Sequence, residues 1–365
     1  MASAFPLPRR ITRTVKAGKL TIGGGAPISV QSMTNTDTRD VVSTVRQIKN
    51  LENAGCELAR VAVPDMKAVE ALPLIKEKIT IPLAADIHFD YRLAVESLKA
   101  GCDKLRINPG NIGGREKVEK VVEAARSAGA AMRIGVNSGS LEAEVLKKYH
   151  SPSADALAES TMKNIAMMEE IGFRNFVISV KSSHIGQTVE AYRILSKECE
   201  YPLHIGLTEA GDIFGGLIKS SAALSVLLGE GIGDTVRISL TGDPVKEVEA
   251  AYTLLRALKL RNVGIEFISC PTCGRTEVDV ESVLAKIKEK LRGIKTPLTV
   301  AVMGCAVNGP GEAREADIGI AGGKCEFLLF MKGEAVRKIK ESEVVEEFVE
   351  IVKKYALETH EKENQ

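Results

Sequence analysis

The chain has 365 residues, is 44% hydrophobic and 27% charged, and carries a formal net charge of +1. That length exceeds one ordinary core and suits two domains, and the composition excludes wholesale disorder. A balance so near neutrality lacks the basic excess of a general nucleic-acid binder, so any anion must be held by a local cluster of cations.

In chain order, Met1–Arg10 has no apolar signal-peptide core, and the expectation is a cytoplasmic protein. Its seven cysteines then sit in a reducing compartment, where metal binding or catalysis outweighs a disulfide framework. Ile11–Gly25 reads as an N-terminal hairpin, within residues 1–25, that could plug a barrel floor. Short β-branched runs follow at Pro27–Met33, Leu58–Val63, Ile81–Ile87, Lys104–Pro109, Ala131–Asn137, Phe176–Ser182, Leu203–Glu209 and Thr235–Thr241. Amphipathic stretches lie between them, among them Asp40–Ala54, Asp90–Ala100, Arg115–Ala128, Asp155–Ile171 and Pro244–Leu258. This alternation predicts parallel strands with helical crossovers, and eight units match a closed (β/α)₈ TIM-type barrel. An open doubly wound sheet is the alternative, but no Gly-rich dinucleotide loop follows the first strand. Ala54-Gly-Cys-Glu-Leu-Ala-Arg60 and Ala100-Gly-Cys-Asp-Lys-Leu-Arg106 repeat one pattern, in which a glycine ends a helix and an arginine enters the next strand. Ile213–Ile232 is the most apolar long stretch, yet Lys219 and Glu230 interrupt it, which excludes a membrane span.

The pattern changes after Leu258. The barrel is expected to span 1–260, with an α+β domain at 261–357 and a polar, frayed tail at 358–365. The second domain reads as strand Ile265–Ser269, helix Val280–Leu291, strand Leu298–Met303, strands near Ile318–Ala321 and Phe327–Met331, and helix Glu343–Tyr355.

Period-two alternation sorts the strand residues by face. Apolar residues belong against the helices, so Arg60, Arg106, Arg133, Lys181 and Arg237 should converge on the barrel axis with Asn108, Asn137 and Ser239. Unpaired buried cations are costly, so either an anion enters or Asp86 and Glu209 compensate. Arginine forks suit phosphate oxygens, which makes a diphosphate or similar polyanion the best fit. His88 and His204 are expected to share the mouth with these cations. Glu209 is expected to end the seventh strand and open a helix.

Cys270-Pro-Thr-Cys273 follows a strand, and Cys305 ends another. A CxxC pair with a distant third cysteine marks a metal site, with zinc as the competing reading. The fourth ligand stays open between Cys325 and Glu312, where a Gly-Pro-Gly turn would curl Glu312 back toward Cys305. A carboxylate holds iron less tightly than thiolate and can give way to a substrate oxygen.

The segments Gln31-Ser-Met-Thr-Asn-Thr36, Pro82-Leu-Ala-Ala-Asp-Ile-His88-Phe89, Arg106-Ile-Asn-Pro-Gly-Asn111, Arg133-Ile-Gly-Val-Asn137, Gly206-Leu-Thr-Glu-Ala-Gly211, Cys270-Pro-Thr-Cys-Gly-Arg275 and Gly304-Cys-Ala-Val-Asn-Gly-Pro-Gly-Glu312 together resemble the short two-domain form of the bacterial 4-hydroxy-3-methylbut-2-enyl diphosphate synthases. The resemblance spans nearly the whole chain. It implies a [4Fe–4S] cluster on Cys270, Cys273, Cys305 and Glu312. It also implies two-electron reductive opening and dehydration of 2-C-methyl-D-erythritol 2,4-cyclodiphosphate, an isoprenoid precursor. Flavodoxin or ferredoxin would be the electron donor, and the chain would form a head-to-tail homodimer, with no nucleic-acid or membrane partner. The diphosphate would sit on Arg60, Arg106, Asn108, Arg133, Asn137, Lys181, Arg237 and Ser239. Glu209 would supply a proton, with His204 or Asp86 nearby. The alternative reading is a non-redox barrel enzyme on a phosphorylated or pterin-like substrate, with a structural zinc domain.

Overall fold

The structure, a computed structural model, describes residues 5–363. Residues 1–4 of the leading segment and 364–365 of the tail lie outside the described residues. The chain divides into two compact units, Met1–Arg261 and Asn262–Gln365.

The first unit opens with an antiparallel hairpin of β1 (Val15–Ala17) and β2 (Leu20–Ile22). Val15, Ala17 and Ile22 pack on Ala131 and Val177, near the starts of two later strands, so the hairpin closes the floor as expected. Eight parallel strands follow: β3 (Ser29–Met33), β4 (Leu58–Ala62), β5 (Leu83–Asp86), β6 (Lys104–Ile107), β7 (Ala131–Asn137), β8 (Phe176–Lys181), β9 (His204–Ile205) and β10 (Thr235–Val236). Their sheet runs β8-β7-β6-β5-β4-β3-β10-β9. A parallel bridge from Ile178 to Leu203 joins the two ends and closes the barrel.

The helices start where short polar side chains can satisfy free backbone N–H groups. Asp40, Asp65, Asp90, Ser153, Asp212 and Asp243 each accept a backbone N–H at a helix N-terminus, a device worth ~1 kcal/mol apiece. The repeated octet has a conformational cause: Gly55 and Gly101 have φ of +97° and +90°, which only glycine adopts without strain after a helix. Helices Met66–Lys76, Ile185–Glu198 and Ile213–Gly229 complete the crossovers. Among the described residues no helix is long and apolar enough to cross a membrane.

Two expectations about extent need correction. Leu203–Glu209 and Thr235–Thr241 pair as strands only over His204–Ile205 and Thr235–Val236. Beyond that, the backbone bonds elsewhere: Leu240 N–H donates to the Glu247 carboxylate at 3.0 Å and Thr241 N–H to the Gly211 carbonyl at 3.1 Å. The tail expected at 358–365 is helical over its described residues, because the last helix runs from Val344 to Glu363.

The second unit is a five-stranded sheet in the order β11 (Ile265–Ser269), β12 (Leu298–Met303), β13 (Ile318–Gly323), β14 (Glu326–Met331) and β15 (Glu334–Lys340). The first three are parallel and the last pairs antiparallel. Val283 and Ile287 of helix Val280–Lys290, with Phe348 and Val352 of the last helix, cover one face. β15 is an edge strand with only Ile339 buried. Its lysines and arginine guard the edge, so it shows no apolar alternation.

Candidate active site

The barrel interior is built from the inward residues of consecutive strands. In-register pairs set Arg60 beside Ala84, Asp86 beside Arg106, and Arg106 beside Arg133. Arg60, Arg106, Arg133 and Lys181 are all buried, with Arg133 only 3% exposed. The alternation read from the sequence therefore places these cations together inside the barrel. Arg237 lies one residue past β10, and its Nε is 3.5 Å from Glu247 Oε2. Glycines on the inward face make room. A Cβ on Gly135 would lie 3.2 Å from Arg106 Nε, and one on Gly206 would lie 2.4 Å from the Arg237 carbonyl and 3.0 Å from Lys181 Nζ.

Asp86 is the hub of the acidic side. Its carboxylate is 3.6 Å from Arg60, 3.3 Å from Arg106 and 3.3 Å from His88. Burial alone would raise its pKa, but Arg60, the His88 hydrogen bond, Arg106 and Arg133 together hold it well below the usual carboxylate range. Glu247, on helix Pro244–Ala257, takes 2.7 and 3.0 Å hydrogen bonds from Ser32 Oγ and Leu240 N–H. The acids felt by the buried cations are Asp86 and Glu247. These do not neutralise the set. Burial pushes Arg60 down to about 10 and lowers Lys181 and Arg133 far below their ordinary values, and neighbouring cations add to each shift. Arg133 Nε and Nη1 and Arg106 Nε have no hydrogen-bond partner. Buried donors left unpaired cost ~1–3 kcal/mol each, more when charged. The site is short of an anion.

Other expected residues fall in different places. Asn108 caps the short helix Pro109–Ile112, accepting from Gly110 N–H at 3.2 Å. Asn137 ends β7, and Ser239 lies past β10 beside Arg237. His88 follows β5 and is half-exposed at the mouth. His204 does not share the mouth. It is the first residue of β9, in register with Thr235, itself in register with Ser29 at the start of β3. There it is fully buried, and burial with Arg133, Lys181 and Lys104 nearby holds it neutral. Glu209 neither ends the strand nor caps the helix. It is exposed in the loop after β9, at a left-handed φ of 53° that is unusual for a side-chain-bearing residue. Asp212 caps the helix instead, accepting from Gly215 N–H at 3.0 Å.

The sequence reading missed Gln31, Lys104 and Glu247, all buried. Strand alternation carried the signal for the first two, since Gln31 shares parity with Ser29 and Lys104 with Arg106. Glu247 was an acid on the apolar face of its helix.

In the second unit, parallel register sets Ser269 of β11 beside Val302 of β12, so Cys270 and Cys305 leave the sheet at the same end. Cys270 Sγ accepts the Gly304 N–H at 3.2 Å. A Cβ on Gly304 would meet Val280 at 2.4 Å, so glycine lets that strand end approach the Cys270 loop. Cys305 Sγ accepts backbone N–H groups of Asn308, Gly309 and Val307, which lower its pKa. Cys273 is exposed. The Gly-Pro-Gly segment is not a free turn. It is the start of helix Gly309–Arg314, which carries exposed Glu312. Cys325 is exposed at the β13–β14 hairpin turn, at a φ of 59°. Among the described residues no three His, Cys, Asp or Glu side chains converge to hold one metal ion. The donor chemistry nonetheless fits an iron–sulfur group: thiols at strand ends, two of them already taking backbone N–H hydrogen bonds.

Comparison with known proteins bears on both units. Residues 12–252 match the family described as the GcpE TIM-barrel domain, and residues 266–354 the GcpE protein C-terminal domain. The 4-hydroxy-3-methylbut-2-en-1-yl diphosphate synthase (flavodoxin) of Symbiobacterium thermophilum is 54% identical, over 96% of this chain and 95% of its own. Its namesake from Geobacter sulfurreducens is 54% identical, over 96% and 99%. Among solved structures, a type I 3-dehydroquinate dehydratase from Clostridium difficile covers 68% of this chain and 99% of its own with a TM-score of 0.51 at 16% identity. A Stenotrophomonas maltophilia dihydropteroate synthase covers 68% and 97%, with a TM-score of 0.51 at 14%. At those identities the likeness is one of barrel fold alone.

Proposed function

The chain belongs to the GcpE family, and on that premise we propose that it is an oxidoreductase, a 4-hydroxy-3-methylbut-2-enyl diphosphate synthase of isoprenoid precursor biosynthesis. It takes 2-C-methyl-D-erythritol 2,4-cyclodiphosphate, two electrons and two protons, breaks the ring C–O bond and the C–O bond of a neighbouring hydroxyl, forms a C=C bond between those carbons, and releases 4-hydroxy-3-methylbut-2-enyl diphosphate and water. The observation that carries the reading is the set of buried cations whose guanidinium donors lack partners.

Arg60, Arg106, Arg133, Lys181 and Arg237 bind the diphosphate, with Asn108, Asn137 and Ser239 adding neutral hydrogen bonds. Pairing these donors recovers the desolvation cost they carry in the free barrel. Asp86 orients Arg60 and Arg106 through its two oxygens. Glu209, exposed in a strained mouth loop, donates a proton to the departing oxygen; backbone strain of this kind gathers at functional sites. Asp86, held ionised, and buried neutral His204 are poorer donors.

Cys270, Cys273, Cys305 and Glu312 would hold a [4Fe–4S] cluster, which supplies single electrons in turn and a Lewis-acidic iron. The backbone N–H groups on Cys305 favour the thiolate form such a group needs. Glu312, a carboxylate among thiolates, would be the hardest of these ligands and the least tightly held. Flavodoxin, named for the relatives, or ferredoxin brings the electrons. Free, unbridged cysteines suit the reducing cytoplasm. Val42, Phe89 and Phe214 are each exposed just after a barrel strand or at the start of a helix, apolar side chains that a second subunit in a head-to-tail dimer would cover.

Anaerobic purification followed by assay with reduced flavodoxin and the cyclic diphosphate tests this reading. The expected result is a brown protein with equal iron and sulfide that releases the linear diphosphate. A colourless zinc protein inactive on that substrate would return the non-redox alternative.

A further inference from the structure

Lys104, the first residue of β6, has no part in the reaction as described above. It is 1% exposed, and its Nζ has no hydrogen-bond partner. Its ladder neighbours are Ala84 on β5 and Ala131 on β7, so neither adjacent strand offers an acid at its level. The charges it feels are Arg133 from β7 and Arg60 from β4. Neutral His204 of β9 feels this amine, as it also feels Lys181 of β8. From β5, Asp86 is already engaged by Arg60, Arg106 and His88. The floor hairpin contributes apolar Val15, Ala17 and Ile22. A buried amine among arginines, with no acid of its own, is an unfinished electrostatic arrangement.

We propose that Lys104 takes up a proton when an oligophosphate enters the barrel, so that anion binding and charging of this buried amine are one coupled event. The inference rests on the arginine pocket being the diphosphate site. In the free barrel, burial and then Arg133 and Arg60 push the amine down to about 7, so above neutrality it is largely uncharged. A bound polyanion reverses the sign of the local field and favours the ammonium. The proton comes from solvent, and no bond of the ligand changes. The sign follows from linkage. Above the free-state value binding must take up a proton, so affinity falls as pH rises; below it the amine is already charged and that dependence vanishes.

Titration calorimetry of inorganic diphosphate into the full chain, at about pH 8 in buffers of different ionisation enthalpy, measures the uptake. Lys104→Met keeps length and apolar packing without the charge, and Lys104→Gln serves as a second variant. Comparing variants with wild type cancels diphosphate's own protonation. Wild type is expected to take up about one proton more per diphosphate than either variant. Its affinity should also lose up to about tenfold more per pH unit above neutrality. Equal uptake in all three would overturn the role of Lys104 and leave the anion pocket standing. No diphosphate binding by wild type would overturn both.

Discussion

Two acidic residues near the strand ends differ in burial. Glu209 is exposed and outside the strand, so Glu209→Gln should leave folding and any cluster spectrum intact while lowering kcat by ~10²–10⁴-fold, the usual contribution of a general acid. Unchanged turnover would remove it from the reaction. Asp86, by contrast, stabilises the structure as well as the site, since it is 3% exposed and meets three basic groups. Asp86→Asn strips Arg60 and Arg106 of their counter-ion and should cost ~3–5 kcal/mol in urea unfolding. Because its folded pKa lies below the unfolded value, that stability is fully present above about pH 4 and is lost as pH falls further. The variant should show a flatter acid limb. His204 is the residue that sequence pattern misplaced: a histidine on a strand has the same signature at either end of the barrel, and only register put it beside Thr235.

Single elements show why most of the architecture was legible. Six short, β-branched strands and their capped helices were found near their true limits, because alternation, Asp caps and left-handed glycines act locally. β9 and β10 were read too long, because their apolar continuation packs without a partner strand; which backbone an N–H finds is a tertiary matter. β15 escaped notice for the opposite reason, having charge where pattern expects an apolar face. At β9, Gly206 fixes how closely two strand ends approach. Gly206→Ala would press a methyl group onto the Arg237 carbonyl. It should cost ~1–3 kcal/mol and weaken diphosphate binding. Gly135→Ala comes no nearer than 3.2 Å to the Arg106 side chain and 3.8 Å to the Ile107 carbonyl, and should cost less. Equal unfolding midpoints for the two variants would count against this difference.

On the scale of the whole molecule, the buried cations lie in Met1–Arg261 and the CxxC thiols with Cys305 in Asn262–Gln365. The burial of the cations was readable in advance because basic residues on consecutive strands leave a period-two trace. The thiols were readable as cysteine spacing, but a fourth ligand is a matter of three-dimensional approach and spacing alone left it open. Diphosphate binding by the barrel depends most on its buried, unpaired guanidinium groups. Arg133 is the cleanest case, with Nε and Nη1 both lacking partners. The dissociation constant of the cyclic diphosphate, measured for wild type and Arg133→Met, tests the claim directly. An unchanged circular dichroism spectrum with affinity weakened ~100-fold, the loss of a charge-assisted pair worth ~3 kcal/mol, is the predicted result. Equal affinity in a folded variant would contradict it.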